Sequence, residues 1–327
     1  MIKKSLPFKK RMKVLVIGGG LSSEHEVSLK TSQMIIKNLD AIKYDAQLVI
    51  IQKDGKWKFG KEKPIDLGSA ITKISREKFD FVFIALHGIF GEDGRIQALL
   101  EWLDLPYGGA GVLASALATD KQMANLVYEA SGLRVPPYVV WKNKKRKTPH
   151  VSFPIVVKPI DGGSSVGISI VKTKKEMPAA LKKAFRECRR IMIQKYIKGT
   201  EITCGVIEDK KGHPAALPPT EIIPQTATFF DYRAKYATGG SLEITPARIS
   251  KKQIKEVQTL ALCAHRALGC CGMSRSDFIL SGGKFYILET NTIPGMTEAS
   301  LLPKAASVAN IPFPLLLDLI INAGFRK

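Results

Sequence analysis

Four residues in one short stretch could act together on a phosphate. The stretch Ser274 to Asn291, SRSDFILSGGKFYILETN, carries Arg275, Asp277, Glu289 and Asn291. Two apolar runs rich in aromatic and β-branched residues flank Gly282-Gly283, which reads as a β-hairpin. A two-residue Gly-Gly loop pairs Asp277 with Leu288 and sends Glu289 to the other face. A three-residue loop, Gly282-Gly283-Lys284 with a left-handed glycine and a bulge, pairs Asp277 with Glu289 and Arg275 with Asn291. We favour the second, because it gathers two carboxylates, an amide oxygen and a guanidinium on one face. Hard oxygen ligands bind magnesium, which shares its shell with nucleotide phosphates. A neighbouring arginine holds a transferring phosphoryl group. The competing reading is a polar hairpin face with an arginine–carboxylate surface pair.

The elements that must position this face come earlier in the chain. A strand from Met12 to Ile17 runs into Gly18-Gly19-Gly20, and a helix follows from about Val27. Strand, glycine turn and helix start make an anion-friendly corner. It is not a dinucleotide fingerprint, since the third glycine and the acid closing the second strand are both missing. A continuous apolar strand, Phe79 to Leu86, reads as part of a parallel sheet. It ends at His87-Gly88, followed by Glu92-Asp93-Gly94 and a helix from Arg95 to Leu103. His87 reads as a capping or structural histidine or as a site residue.

Thr119 or Asp120 caps the next helix, with Met123, Leu126, Val127 and Ala130 on one apolar face and Gly132 as its stop. Lys121 in its first turn opposes the helix dipole, so it is a solvated lysine or it awaits a phosphate. Strands follow at Tyr138 to Trp141 and Phe153 to Val157. Between Lys158-Pro159 and a strand at Ile168 lies a glycine-rich loop, IDGGSSVG. It lacks a Walker lysine and a following helix, yet a strand-loop-strand flap can lay backbone N–H groups on phosphates. A charged helix spans Lys174 to Cys188, and a strand from Ile191 to Ile197 carries Gln194 and Lys195, with Glu201 beyond. A long turn-rich segment lies between Thr220 and Pro246, and such segments are usually functional. Ser250 and Gln253 form a capping box for a helix from Lys251 to Leu268. A last helix covers Leu315 to Ile321.

Bulk properties exclude some classes. The 327 residues are 45 % hydrophobic and 24 % charged, enough for two or three domains with a large core. Apolar stretches are only strand-length, so no membrane span is expected. The basic start lacks the apolar segment of a secretory signal. Five cysteines without metal-ligand spacing suit reduced thiols in a cytoplasm. The formal charge of +21 is diffuse, without aromatic-basic interleaving, so no nucleic-acid function is expected.

Several segments agree in order and spacing with one family. GGGLSSEHEVS, ALHGIFGEDG, TDKQ, VVKPIDGGSSVGIS, QKYIKGTE, FDYRAKY, SRSDF and LETNTIPGMTEASLLP form a collinear set. On these the chain resembles the D-alanine–D-alanine ligases of the ATP-grasp superfamily over nearly its whole length. The resemblance implies an α/β protein: an N-terminal Rossmann-like domain (1–118), a central ATP-grasp subdomain with a phosphate flap (119–204) and a C-terminal ATP-grasp subdomain (205–327). It implies ATP and two magnesium (or manganese) ions as cofactors, two D-alanine molecules as substrates, a cytoplasmic homodimer, and no nucleic-acid or membrane partner.

Carried onto matching positions, Lys121, Lys158, Gln194, Lys195, Ile197 and Glu201 would hold ATP, with Ser164 and Ser165 on the flap. Asp277, Glu289 and Asn291 would bind the metal ions, and Lys235 and Arg275 would face the transferred phosphate. Glu24 would take the first D-alanine's ammonium, with His87 beside it. Ser300 would take the second D-alanine's carboxylate, and Gly295 with Arg275 would hold the intermediate. Tyr236 would close over the site and join Ser164 and Glu24. Gln194 departs from the family's usual glutamate, which implies a weaker adenine contact. The implied chemistry activates an unreactive carboxylate as an acylphosphate, which the amine of a second amino acid then attacks. No activated nucleophile stands in these motifs. A same-fold ligase making D-alanyl-D-serine or D-alanyl-D-lactate is the nearest rival; Tyr236 argues for D-alanine.

Overall fold

Alternating apolar runs and glycine turns fold into three sheets. The computed structural model describes residues 11–142, 151–161, 166–225 and 240–326. Ser164, Ser165, Lys235 and Tyr236 lie outside the described residues.

The first sheet is built from β1 (Met12–Gly19), β2 (Tyr44–Ile51), β3 (Trp57–Phe59) and β4 (Phe81–Ile84), in the order β3-β2-β1-β4. Both β2 and β4 run parallel to β1, and β3 is an antiparallel edge. Helices α1 (His25–Asn38), α2 (Leu67–Glu77) and α3 (Arg95–Trp102) connect these strands or follow them. Every residue of β4 is buried, as its continuous apolar run requires, although the strand is shorter than expected. The turn after β1 needs glycine. Gly19 has φ 83°, and a Cβ there would come 2.2 Å from the Ile51 carbonyl.

Two helices follow, α4 (Val112–Thr119) and α5 (Lys121–Ala130). Asp120 caps α5 by accepting from Gln122 and Met123 N–H groups. The buried face of α5 is not the expected one. Lys121, Ala124, Asn125 and Tyr128 are buried, whereas Met123 and Leu126 are exposed. Lys121 is therefore not a solvated lysine. The second sheet has the order β5-β8-β6-β7, all antiparallel: β5 (Tyr138–Trp141), β6 (Ile155–Pro159), β7 (Ser169–Val171) and β8 (Ile191–Lys195). The expected long helix before β8 starts as a 3-10 turn, Lys174–Glu176, and continues as α6 (Met177–Glu187).

The third sheet contains β9 (Thr200–Glu208), β10 (Pro214–Ala216), β11 (Thr220–Pro224), β12 (Ser241–Ile244), β13 (Met273–Ser281) and β14 (Lys284–Asn291). Its order is β12-β11-β9-β13-β14, with β10 on β9. The segment expected to be irregular from Thr220 to Pro246 thus opens and closes with paired strands, β11 and β12. Between them and the hairpin runs α7 (Lys251–Ala267), with the Ser250/Gln253 capping box formed. Helices α8 (Leu301–Val308) and α9 (Phe313–Gly324) end the chain. No single helix among the described residues is long and apolar enough to cross a membrane. The cysteines are free, and burial pushes the Cys204 and Cys270 thiols up to about 12.

Candidate active site

The hairpin pairs Asp277 with Glu289 and Arg275 with Asn291. The expected pairing is present, but the device behind it differs. The loop has two residues, since Ser281 pairs with Lys284, and Gly282 and Gly283 both have positive φ. The register shifts further along, between Asp277 and Phe278, where Leu288 is the extra residue. Without that bulge Glu289 would point into the core. With it, Phe278 and Ile287 face the core while Asp277 and Glu289 share the opposite face.

Neighbouring β9 extends this face. Glu201, Thr203 and Gly205 stand beside Ile279, Asp277 and Arg275. The Thr203 hydroxyl donates to Asp277 Oδ1 at 2.5 Å. Arg275 holds the same carboxylate with two bonds of 3.1 Å, Nε to Oδ1 and Nη2 to Oδ2. Asp277 is 6 % exposed, so this face lies deeper than its polarity suggests. Behind the hairpin, Tyr128 of α5 donates to Thr290 at 2.8 Å, and Thr290 meets Ser276 at 2.8 Å. This ladder of hydroxyls binds α5 to the back of the strands that carry the carboxylates.

Two buried lysines complete the charged cluster. Lys158, at the end of β6, is 5 % exposed, and Lys121, at the start of α5, is 8 % exposed. Burial and the nearby Lys121 cation push Lys158 down to about 8, and Glu289 opposes this. The three elements β6, α5 and β14 therefore bring their charges within electrostatic reach of one another.

A second cluster lies at the C-terminal ends of the parallel strands. Glu24 directly precedes α1 and is buried. Gly88 presses on it: with φ 71°, a Cβ there would come 2.5 Å from Glu24 Oε2. His87 is fixed by Thr31 (Nε2 to Oγ1, 2.9 Å) and by Glu92 (Nδ1 to Oε1, 3.4 Å). Ser22 donates to the His87 carbonyl at 2.6 Å, and Ser28 donates to that of Ala85 at 2.6 Å. Burial, aided by the Glu24 charge and opposed by His87, raises Glu92 above the usual carboxylate range. Sequence reasoning passed over Glu92, Thr31 and Thr203. For Glu92 the HGIFGEDG run held a signal; for the other two no signal existed.

The remaining residues frame these clusters. Gln194 is buried on β8, and its amide N–H donates to the Pro136 carbonyl at 3.4 Å. Lys195 is exposed, and Ile197 and Glu201 are half-buried. Lys195 and Ile197 help line a cavity of about 520 Å³, together with Arg134, Pro137 and Tyr286. Ser300 sits at the N-terminus of α8, and its Oγ accepts from Thr297 N–H at 3.0 Å. A Cβ on Gly295 would come 2.8 Å from that Oγ, so glycine keeps this approach open. A Cβ on Gly205 would come 2.6 Å from Leu302 of α8, so that helix covers the Arg275 end of the face.

Comparison with known proteins decides the family. The model for the D-ala D-ala ligase N-terminus matches residues 13–110, and that for the C-terminus matches 127–322. The chain belongs to the D-alanine–D-alanine ligase family. A Geotalea uraniireducens relative named D-alanine--D-alanine ligase is 43 % identical, over 97 % of each chain. The Bacillus anthracis D-alanine–D-alanine ligase complexed with ATP superposes with a TM-score of 0.79 at 33 % identity, covering 96 % of this chain and 98 % of that one. The VanG D-Ala:D-Ser ligase of Enterococcus faecalis superposes with a TM-score of 0.84 at 29 % identity, covering 96 % of this chain and all of that one. The family's ATP-grasp architecture accounts for the two antiparallel sheets, and the parallel sheet is its N-terminal part.

Proposed function

We propose that the chain joins two D-alanine molecules into D-alanyl-D-alanine at the expense of ATP. The observation that carries this reading is the face of β13 and β14, where Arg275, Asp277, Glu289 and Asn291 share one register within electrostatic reach of buried Lys158. The two strands set a pair of carboxylates where a nucleotide's metal would lie. The lysines then match the negative charge of its phosphates. The division at about 118 and 204 belongs to this reading, although the second cut falls inside β9, Thr200–Glu208.

Each residue has a role in this reading. Lys121 and Lys158 hold phosphates, Glu201 takes the ribose, and Gln194, Lys195 and Ile197 frame the adenine. Ser165 lies on the flap. Asp277, Glu289 and Asn291 hold two magnesium (or manganese) ions. Among the described residues no group of three or more His, Cys, Asp or Glu could hold a metal by itself. Two carboxylates and one amide fit an ion that completes its shell with water and phosphate oxygens. When bound, the ions neutralise charge on the transferring phosphoryl group.

In the reaction the carboxylate oxygen of the first D-alanine attacks the γ-phosphorus, and ADP leaves. Glu24 pairs with that molecule's ammonium, and His87 packs beside it. Ser300, at a helix N-terminus, receives the carboxylate of the second D-alanine. Its amine, having lost a proton, attacks the acyl carbon. Arg275 and the Gly295 N–H stabilise the oxyanion before phosphate departs. Lys235 faces the transferred phosphate. Tyr236 and Ser164 close the site against water, which would otherwise hydrolyse the acylphosphate. A cytoplasmic homodimer belongs to this reading, and light scattering tests its size.

The likeness to the VanG D-Ala:D-Ser ligase supports a second reading, in which D-serine is the second substrate. Phosphate release from ATP decides between them, with D-alanine, L-alanine, D-serine or D-lactate supplied in turn. Turnover with D-alanine alone is expected. Turnover that needs D-serine beside D-alanine overturns the first reading in favour of the second.

A further inference from the structure

Arg190 makes more connections than a surface arginine needs. It sits just before β8, and its side chain is 33 % exposed. One nitrogen, Nη2, donates to Asp120 Oδ2 at 2.6 Å and to Asp161 Oδ1 at 3.0 Å. Its backbone carbonyl accepts from the Ile160 N–H at 3.1 Å. The Ile160 carbonyl in turn accepts from the Lys121 N–H at 3.2 Å. The Arg190 backbone N–H donates to Cys188 Sγ at 3.3 Å, and that thiol donates to Asp161 Oδ2 at 3.3 Å.

These contacts converge on two places. Asp120 is the residue before Lys121, and its other carboxylate oxygen caps α5 by accepting from Gln122 and Met123. Asp161 and Ile160 lie just beyond Lys158. One guanidinium thus joins the helix start that carries one buried lysine to the strand end that carries the other. The lysines repel each other, and this repulsion contributes to the depression of Lys158. Backbone segments bearing buried like charges drift apart unless something holds them. A charge-assisted bond accepted by two carboxylates is a strong tie of this kind. The two aspartates also neutralise Arg190, so the guanidinium does not compete with the lysines for phosphate.

We infer that Arg190 is a positioning residue for nucleotide binding, setting the separation of Lys121 and Lys158 through Asp120 and Asp161. The inference rests on the reading that these lysines hold ATP phosphates. In this chain the tie depends on an aspartate at 161 and an arginine at 190 together, so replacing either should weaken nucleotide binding in the same direction.

The test measures affinity for a non-hydrolysable ATP analogue with magnesium by calorimetry. It adds KM for ATP, KM for D-alanine and the thermal midpoint. The variants are Arg190→Ala, Arg190→Lys and Asp161→Asn, with Lys121→Ala and Lys158→Ala as controls. Arg190→Ala should weaken nucleotide binding roughly three- to tenfold, a part of the worth of a charged hydrogen bond. KM for D-alanine should stay unchanged. Arg190→Lys can keep one aspartate and should fall between wild type and Arg190→Ala. Asp161→Asn keeps the shape and should show a smaller loss. Should Arg190→Ala fail to fold, those two milder variants carry the test.

Wild-type nucleotide affinity in the Arg190 and Asp161 variants, alongside weakened lysine controls, overturns the inference. So does a loss confined to thermal midpoint and kcat, since that is the mark of a purely structural tie. Wild-type affinity in the lysine controls themselves instead brings down the nucleotide reading of the site.

Discussion

The two ends of the site hold like charges of opposite sign. At the C-terminal ends of the parallel strands, buried Glu24 lies near half-buried Glu92, and Glu92 is pushed up. Between β6 and α5, Lys121 and Lys158 are buried near each other, and Lys158 is pushed down. In both pairs burial is the larger cause and the like charge the next one that acts the same way. In each pair the shifted member, Glu92 or Lys158, moves toward its neutral form. An ammonium would relieve the acidic corner, and phosphates would relieve the basic one. The regions differ in how they are held. Hydroxyls and backbone carbonyls fix the acidic corner, as in the bonds of Thr31, Ser22 and Ser28. Ion pairs serve the basic side, as in Arg275 with Asp277 and Arg190 with Asp120. The difference teaches that the acidic corner is preset mainly by neutral hydrogen bonds, whereas the basic side is balanced by charge.

The largest expected effect comes from removing the acids that balance the basic side. Asp277→Asn and Glu289→Gln should each lower kcat about a hundred- to a thousandfold, the scale of losing one preorganised charge-stabilising group. Asp277 also accepts from Thr203 and Arg275, so a drop in thermal midpoint is expected for Asp277→Asn. Steady-state turnover at limiting magnesium makes the check. Activity near wild type in Glu289→Gln would remove that residue from the site.

Lys158→Met should separate function from stability. On the proposed role of Lys158 at the phosphates, losing this buried cation should weaken ATP binding about ten- to a hundredfold. Without ligand the same change should stabilise the fold. The unfolded lysine titrates at 10.5 and the folded one at about 8, so below pH 8 burying its charge costs roughly 3 kcal/mol. Between those values the unfolded chain binds the extra proton, and wild-type stability rises with pH. The variant's advantage should thus be full below pH 8 and should vanish by about pH 10.5. Denaturant titrations of both proteins, free of nucleotide and magnesium, give the comparison. A variant less stable than wild type at pH 7 contradicts the charge-balance view.

Glu92→Gln is the mirror experiment and a milder one. Folding raises the Glu92 pKa from 4.5, so the folded state keeps its proton longer than the unfolded one. Wild-type stability then falls as pH climbs through the raised value, and the glutamine variant lacks that loss. The variant should match or exceed wild-type stability at pH 7. Its bond to His87 weakens, so KM for the first D-alanine should rise by about the worth of one charged hydrogen bond, severalfold to tenfold. ATP affinity should not change. A weakened ATP affinity with unaltered D-alanine KM would show that the two ends are not separate.

Much of this arrangement could be read from residue types, and the misses share a physical cause. The hairpin was legible because two apolar runs and a glycine pair leave few other folds. The Leu288 bulge was not, because an extra residue within a strand carries no side-chain signature. Only the pairing of Asp277 with Glu289 hinted at it. The buried face of α5 was misjudged because apolar periodicity assumes an apolar neighbour. Here the inward face mixes apolar packing of Ala124 and Tyr128 with polar partners, Thr290 for Tyr128 and the Met192 sulfur for Asn125, so Asn125 and Lys121 turn inward as well. Arg190, Asp120 and Asp161 are distant in sequence, and only the folded chain brings them together.

Gln194 offers the finest test, because it places a neutral group on the charged side. Its amide N–H is taken by the Pro136 carbonyl, which leaves the amide oxygen as the acceptor that the proposed reading gives to an adenine amino group. Gln194→Glu supplies a stronger acceptor but loses that N–H. A carboxylate oxygen would then face the Pro136 carbonyl in a buried place, two acceptors without a proton between them. The gain and the loss are each about 1 kcal/mol, the net worth of one hydrogen bond, so they should nearly cancel. ATP affinity should change less than about threefold. The cost should appear instead in the fold, as a lower thermal midpoint that recovers at acidic pH, where the new carboxyl takes up a proton and donates to Pro136. Calorimetry with the ATP analogue and melts across pH 5 to 8 separate the two terms. A tenfold tighter nucleotide without loss of stability would mean that Pro136 places no constraint on the side chain, and that the neutral glutamine costs this chain adenine affinity.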